Sequence, residues 1–263
     1  MTRLDRRFNY RLSKLLFCLF LLLSVSTVAF GQDDDEKTFA EKYKKGYVFD
    51  ERLSALRKEP DVMAPIRSRL RRGRSIYRLE SHRDANGVLY YRVAVTRRTR
   101  GWIQAAALAF PSQRGDDAKV MALAEATSDV EKLAILKVLI ERFPQSSLRP
   151  KALLLFGEEA DDVASKVLKR ASRRMSDEDK LVADGIPKRY YYLNDVGLDR
   201  YNRLGVRFDY DEKADEYYYA GDTYREIARR YSKSDVAAKA REHLNKIEAR
   251  LTTNQTQRSK GKQ

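Results

Sequence analysis

The sequence predicts an α+β protein of two modules, a small β-barrel followed by helical hairpins. Residues 54–110 contain short runs in which apolar and polar side chains alternate, and turn residues separate these runs. That pattern is typical of half-buried strands. After residue 115 the apolar residues recur at spacings of three and four, which is typical of helices packed on one face. The two periods divide the chain into a strand-rich part and a helical part.

Three runs predict the strands of the barrel: residues 75–80, 89–95 and 100–103. Asn86-Gly87 lies between the first two runs, and this dipeptide tolerates the positive φ of a tight hairpin turn. Gly73 and Pro65 precede the first run and are natural turn residues. We place the barrel at residues 51–110, because strands this short suit one small barrel better than a large sheet.

Four blocks of this region resemble the successive motifs of bacterial SH3-like (SH3b) domains. They are Leu-Arg-Lys-Glu-Pro at 56–60, the stretch from Ile66 to Gly73, Tyr-Tyr-Arg-Val at 90–93 and Gly-Trp-Ile at 101–103. The resemblance implies an SH3-like β-barrel on an exported protein, with a cell-wall or peptide ligand. The family often has Trp where this chain has Tyr90, so the surface of any ligand groove differs here.

Positive charge is concentrated in the predicted barrel. Residues 54–110 contain 13 Lys and Arg against 4 Asp and Glu, a net charge of 13 − 4 = +9. Guanidinium groups bind phosphates and carboxylates in bidentate geometry. A basic surface without any ligand is the alternative explanation. The predicted ligand-binding residues are Arg71, Arg72, Arg74, Tyr90, Arg98 and Trp102.

The N-terminus predicts export. Five basic residues precede an apolar run at residues 15–30, and Ala29-Phe30-Gly31 offers small residues for cleavage after Gly31. Residues 1–31 therefore read as a signal peptide, and an uncleaved N-terminal anchor is the alternative. Cys18 is the only cysteine and would leave with the signal, so we expect no disulfide and no cysteine-based metal site. We expect residues 32–50 to form a charged segment and residues 252–263 a disordered tail.

Residues 116–251 predict helical hairpins. A first pair consists of a helix at residues 130–142 and a second helix capped by Ser147. We expect Asp161-Asp162 to interrupt this second helix. A second pair covers residues 217–231 and 236–251. The pairs match at an offset of 88 residues, as Arg142-Phe143 matches Arg230-Tyr231. They resemble divergent tetratricopeptide-type (TPR-like) repeats, which implies a protein-binding role, although the usual period is about 34 residues.

The role of tyrosine is left open. Ten of the 16 tyrosines lie between Tyr190 and Tyr231. Packing in the helical core and lining of a peptide-binding surface both fit this segment, since tyrosine combines a rigid apolar ring with a polar tip.

Catalytic patterns are scarce. His82 and His243 lie in different modules, and both are expected at the surface. The carboxylate runs 158–162 and 177–179 are expected on solvated helix faces and loops, and no phosphate-binding glycine loop occurs. We therefore expect no enzyme, no cofactor and no metal. Nucleic acid would suit the arginines electrostatically, but an exported chain seldom meets it.

The sequence thus favours an exported, non-enzymatic binding or scaffolding protein of the cell envelope or periplasm. Its barrel would bind an anionic component such as peptidoglycan or a peptide ligand, and its helical repeats would bind a protein partner. A membrane would be involved only if the signal segment stays uncleaved. Two alternatives stay open: an accessory region of a cell-wall hydrolase, and a pure protein–protein scaffold with an inert barrel.

Overall fold

The protein is a mixed α+β structure in which an antiparallel sheet precedes a helical part. This computed structural model describes residues 42–174, 198–211, 214 and 216–260. The predicted signal peptide, Tyr190 to Tyr192 and the carboxylate run at 177–179 lie outside the described residues. Within the described residues, no helix has the length and apolar character needed to cross a membrane.

Seven short strands form one antiparallel sheet in the order β3-β2-β6-β5-β4-β1-β7. The edge strands β3 and β7 do not pair with each other, so the sheet is not closed. The strands are β1 (Lys44–Val48), β2 (Ala55–Arg57), β3 (Ile66–Arg69), β4 (Ser75–Arg83), β5 (Leu89–Ala94), β6 (Arg100–Gln104) and β7 (Leu108–Ala109).

The three predicted strand runs are β4, β5 and β6, and the predicted hairpin joins β4 to β5. Gly87 has a φ of +80°, and the Asp84 carboxylate accepts hydrogen bonds from the amides of Asn86 and Val88 at 2.9 and 2.8 Å. This is the positive-φ turn that Asn-Gly predicts. Strand β4 extends three residues beyond the predicted end, so His82, which falls between the first two predicted strand runs, lies in a strand.

One face of the sheet covers a small apolar core. Alternate residues along β5 supply it: Val93 is fully buried, and Tyr91 packs against the core from the same face. Gly101 lets β2 approach β6 closely, because a Cβ at this position would lie 2.7 Å from the Arg57 carbonyl oxygen. The other buried residues of this core are Val48, Leu56, Leu70, Ile76, Ile103, Ala107, Leu108 and Phe110.

The sheet begins earlier than residue 51. Residues 32–50 were expected to form a charged segment, but β1 at Lys44–Val48 pairs with both β4 and β7. Val48 and Phe49 are buried, and the Asp50 carboxylate caps a short 3₁₀ turn by accepting from the Arg52 amide at 3.0 Å. The sequence prediction was wrong here because the apolar part of β1 is short and two lysines precede it.

Within the described residues, six helices and one hairpin follow the sheet. The elements are α1 (Asp116–Glu125), α2 (Asp129–Arg142), α3 (Arg149–Arg174), α4 (Asp199–Asn202), β8 (Phe208–Asp211), β9 (Glu216–Tyr219), α5 (Asp222–Arg230) and α6 (Ala237–Lys260). Helix α2 packs against α1 and α3, α5 packs against α3 and α6, and β9 packs against α3.

Three helical predictions need correction. Helix α3 runs unbroken through Asp161-Asp162, because Ala160, Val163 and Ala164 stay buried on its inner face. Tyr217 lies in strand β9 and not in a helix; β8 and β9 form a hairpin before α5 begins. Helix α6 continues to Lys260 and so enters the segment expected to be disordered.

The sheet and the helices share a core. Phe49 and Ala109 belong to the cluster of buried residues that the helices build, and the Asp116 carboxylate at the start of α1 accepts from the Phe110 amide at 2.8 Å. Lys119 donates to the Leu108 carbonyl at 2.9 Å. Apolar packing and polar bonds therefore both join β1 and β7 to the helical part.

Candidate anion-binding surface

Two loops of the sheet meet around a depression of about 510 Å³. The β3–β4 loop contributes one side and the β5–β6 loop the other. We call this feature the basic depression. Its lining residues are Ser68, Arg69, Leu70, Arg71, Arg72, Gly73, Arg74, Val95, Thr96 and Thr99.

Backbone bonds hold the β3–β4 loop in place. Gly73 has a φ of +76°, and its amide donates to the Val48 carbonyl at 2.8 Å. The Arg74 amide closes the turn onto the Arg71 carbonyl at 3.1 Å. Leu70 is buried in the sheet core and anchors the start of the loop. The arginines on either side of Leu70 and Gly73 are therefore held on a defined backbone.

The β5–β6 loop is a compact turn. The Val95 amide donates to the Thr99 carbonyl at 2.9 Å, and the Thr99 amide donates to the Thr96 hydroxyl at 3.0 Å. The register then returns the chain into β6 with Ala94 opposite Arg100. This turn is the second wall of the depression.

The lining is cationic. Four of its ten residues are arginines, and none is Asp or Glu. Arg69, Arg71 and Arg74 are exposed, and within the described residues no hydrogen bond or ion pair engages their side chains. Guanidinium groups without a carboxylate partner are free to bind an anion in bidentate geometry.

Arg72 differs from the arginines on either side. Its side chain is only 8% exposed and forms an ion pair with Glu131 of α2, while Nε donates to the Phe49 carbonyl at 2.8 Å. Its backbone amide donates to the Glu51 carboxylate at 2.6 Å. Its guanidinium is therefore already occupied in joining the sheet to the helices, although Arg72 is one of the residues that line the depression.

Arg98 lies at the tip of the β5–β6 loop and is exposed. It does not line the depression itself, although Thr96 and Thr99 on either side of it do. Of the predicted ligand-binding residues, Arg71, Arg72 and Arg74 meet in the depression and Arg98 stands beside it.

Tyr90 and Trp102 do not join them. Both lie on the face of the sheet opposite the small apolar core, where Tyr90 pairs with His82 and Gln104. Tyr90 is 0% exposed, which removes it from any solvent-facing groove. Trp102 is half-buried, with its ring centroid 5.9 Å from that of His82 in an edge-to-face contact. The structure thus splits the predicted composite site into an arginine part and an aromatic part.

Comparison with protein-family models, with curated proteins and with solved structures found no match.

A second polar cluster lies among the helices and was not predicted. His243 of α6 was expected at the surface, but its side chain is 21% exposed and its ring stacks on Tyr224 at a centroid distance of 4.5 Å. Asp161 of α3 lies 3.0 Å from His243 Nδ1 and accepts a hydrogen bond from the Tyr224 hydroxyl at 2.6 Å. Glu158 forms an ion pair with Lys239 at 2.6 Å.

The electrostatics of this helical cluster follow from burial. Burial raises the pKa of the Asp161 carboxyl, and the hydrogen bond from Tyr224 and the contact with His243 only partly oppose it. Burial also raises the pKa of the Tyr224 hydroxyl, and the charge of Asp161 adds to the effect. These groups hold α3, α5 and α6 together.

The carboxylate run at 158–162 is thus only partly solvated, contrary to prediction. Glu159 is buried and forms an ion pair with Lys132 of α2 at 3.0 Å, and it accepts a hydrogen bond from the Asp129 amide. Within the described chain, no group of three or more His, Cys, Asp or Glu side chains is arranged to hold a metal ion.

Proposed function

We propose that the protein is an exported, non-enzymatic binding protein of the cell envelope whose basic depression binds an anionic component such as peptidoglycan. The helical part would hold a protein partner. The main observation is that the end of β3 and the β3–β4 loop place Arg69, Arg71 and Arg74 around one depression that has no lining carboxylate. Cations gathered without counter-charges raise the local concentration of anions and bind them at close range.

The motif blocks support an SH3-like assignment for the sheet module. They fall on β2 and the turn after it, on β3 with the β3–β4 loop, on β5 and on β6. Domains of this family typically bind cell-wall or peptide ligands, so a wall component suits the basic depression. Peptidoglycan carries carboxylates on its peptide stems, and arginine forks bind carboxylates in bidentate geometry.

The pairs α2/α3 and α5/α6 support a TPR-like assignment for the helical part. The matching segments at an offset of 88 residues place Phe143 and Tyr231 at the ends of α2 and α5. Arg149 joins the two pairs, because it forms an ion pair with Glu226 at 2.9 Å and donates a hydrogen bond to the Tyr231 hydroxyl. A stacked helical part of this kind offers a surface for a protein partner.

Co-sedimentation of the chain from residue 32 onwards with purified sacculi tests the proposal. Wild type would be compared with Arg71→Glu/Arg74→Glu, and Arg203→Glu/Arg229→Glu serves as a control with the same change in net charge at exposed helical positions. We expect wild type and control to be retained, and both to be released as salt rises from about 0.05 to 0.5 M. The depression variant should lose retention at the lowest salt.

The other outcomes of this experiment would favour the hydrolase or the scaffold alternative, or contradict wall binding. Release of soluble muropeptides by wild type would favour a cell-wall hydrolase. Equal retention of the depression variant and wild type would indicate an inert barrel and favour a scaffold. No retention of wild type at any salt concentration would contradict wall binding.

A further inference from the structure

The seven-stranded sheet leaves one edge open in the part of the chain that the structure describes. Strand β7 at one edge has two residues, both fully buried, and packs against α1. Strand β3 at the other edge pairs only with β2, and no other strand of the described chain lies on its outer side. An uncovered edge presents a row of amide and carbonyl groups that can pair with another extended chain.

Strand β3 is exposed along its whole length, since all four of its residues face solvent. Exposed apolar side chains gather where it begins. Val62, Met63 and Ile66 are 49%, 86% and 44% exposed, and the described residues contain only two other exposed large apolar side chains, both less exposed than these three. A cluster of exposed apolar side chains indicates a binding surface more often than a single exposed apolar residue does.

The loop before β3 has a defined conformation. The Lys58 amide donates to the Pro65 carbonyl at 3.1 Å, the Ala64 amide donates to the Asp61 carbonyl at 3.2 Å, and the Arg57 guanidinium donates to the Ala64 carbonyl at 2.6 Å. Met63 is therefore held outward by a bonded turn, which fixes its position relative to Ile66.

Positive charge follows the apolar residues. Arg67 and Arg69 are exposed on β3, and within the described residues neither side chain forms an ion pair or hydrogen bond. We call Val62, Met63, Ile66, Arg67 and Arg69 the edge patch. An extended segment lying along β3 would meet apolar side chains at one end and guanidinium groups at the other.

We propose that the edge patch binds an extended acidic peptide segment of a partner protein, which adds to the sheet as a strand beside β3. Backbone hydrogen bonds would supply affinity, while Met63 and Ile66 hold an apolar residue and Arg67 and Arg69 hold carboxylates. A second copy of this chain is a poor occupant. Antiparallel pairing of β3 with itself would place arginines close to arginines, and like charges across strands are destabilising.

This proposal is separate from the proposed function. Only Arg69 belongs to both the edge patch and the basic depression. Arg67, Met63 and Ile66 do not line the depression, so their variants test the edge alone.

The test is binding of a short fluorescein-labelled peptide that alternates glutamate and valine, measured by fluorescence anisotropy with the full chain. The proposal predicts saturable binding that is lost when every peptide amide is N-methylated, because methylation removes the donors needed for strand addition and keeps the charge. A lysine–valine peptide should not bind.

Protein variants locate the site. Arg67→Glu and Met63→Ser/Ile66→Ser should each weaken binding roughly tenfold or more. Arg229→Glu and Val88→Ser change an exposed arginine and an exposed valine elsewhere, and should bind like wild type. Circular dichroism would verify that each variant is folded, and the peptide analogues give a test on unaltered protein.

Several results would overturn the proposal: equal binding of the N-methylated peptide, no binding of the unmethylated peptide, or binding lost in Arg71→Glu/Arg74→Glu but not in Arg67→Glu. The last result would place the peptide in the basic depression and leave the proposed function intact. No retention of wild type on sacculi, together with peptide binding that is lost in Arg67→Glu, would leave only the edge proposal standing.

Discussion

Neighbouring arginines in the β3–β4 loop have different roles because their surroundings differ. Arg71 and Arg74 are exposed and unpaired within the described residues, whereas Arg72 is buried against Glu131 and the Phe49 carbonyl. A charge held by a fixed partner is a structural element, and a charge facing water is available to a ligand.

Tyr90→Phe tests whether Tyr90 is a buried residue without a role in ligand binding. The hydroxyl of Tyr90 is buried without a hydrogen-bond partner among the described residues. Leaving a buried hydroxyl unpaired costs about 1–3 kcal/mol, so its removal should leave stability unchanged or raise it by about 1 kcal/mol. Urea unfolding measures this, and retention on sacculi should match wild type. A loss of stability or of retention would show that the hydroxyl has a role.

Asp161→Asn tests the helical cluster through pH. Burial raises the folded-state pKa of Asp161 above its unfolded value of about 3.9. The native state then binds more protons than the unfolded state at pH values between these two pKa values, so the stability that Asp161 contributes is present below about pH 4 and is lost as pH rises through the folded pKa.

We therefore expect the free energy of unfolding of wild type minus that of Asp161→Asn to decrease as pH rises from about 3.5 to about 7, which spans the carboxyl range. Urea unfolding at each pH measures this difference. Asparagine keeps an oxygen acceptor for the Tyr224 hydroxyl, which makes it the conservative choice. A difference that grows with pH would contradict the buried environment assigned to Asp161.

Among individual residues, the sequence indicated where charge is concentrated but not which side chains lie next to each other. The arginine clusters could be identified because charge is visible in the sequence, and turn residues around them indicated loops. Tyr90 could not be placed, because a tyrosine in an alternating strand fits either face until the pairing partners are known. Asp161 and His243 are 82 residues apart, so no local pattern signals their contact.

At the scale of elements, strands with a turn signal on one side were predictable. Strands β4, β5 and β6 alternate, and Gly73 and Gly87 mark the turns before β4 and β5. Strand β1 was missed because its pairing with β7 depends on residues about 60 positions away (Tyr47 opposite Ala109), a long-range contact that propensity cannot supply. Strand β9 was missed because Tyr217 also fits a helical spacing with Ala220 and Tyr224.

Gly157→Ala tests the packing of α3 against α5. Gly157 lies in α3 where a Cβ would be 2.5 Å from the Tyr224 ring and 2.8 Å from the Thr223 hydroxyl. Alanine gains about 1 kcal/mol of helix propensity, but the clash forces the two helices apart. We expect a net loss of about 1–3 kcal/mol in urea unfolding.

Ser165→Ala, at an exposed position of the same helix, is the control and should change stability by less than about 0.5 kcal/mol. A Gly157→Ala variant as stable as wild type would show that α3 and α5 are not in close contact at this point.

In the molecule as a whole, an ion pair and shared core residues connect the sheet to the helices. Arg72 reaches from the β3–β4 loop to α2, and Phe49 and Ala109 enter the helical core. The loop that lines the basic depression is therefore tied to the helical part through Arg72, beside the arginines proposed to bind the ligand.

Arg72→Met tests this link. The variant keeps the apolar stem but removes the bonds to Glu131 and to the Phe49 carbonyl, so we expect a loss of about 1–3 kcal/mol in urea unfolding. Arg71→Met, one residue earlier and exposed, should cost less than about 0.5 kcal/mol. Equal costs at both positions would contradict the structural role assigned to Arg72. Folded Arg72→Met should still be retained on sacculi.

Anion binding in the basic depression is tested most directly by NMR mapping of the arginine side-chain Nε–Hε resonances while a soluble muropeptide is added to the chain from residue 32 onwards. We expect saturable shifts of Arg69, Arg71 and Arg74 together with backbone shifts at Thr96 and Thr99, and weaker binding as salt rises. Shifts confined to the helical part, or none in these two loops at saturation, would contradict it.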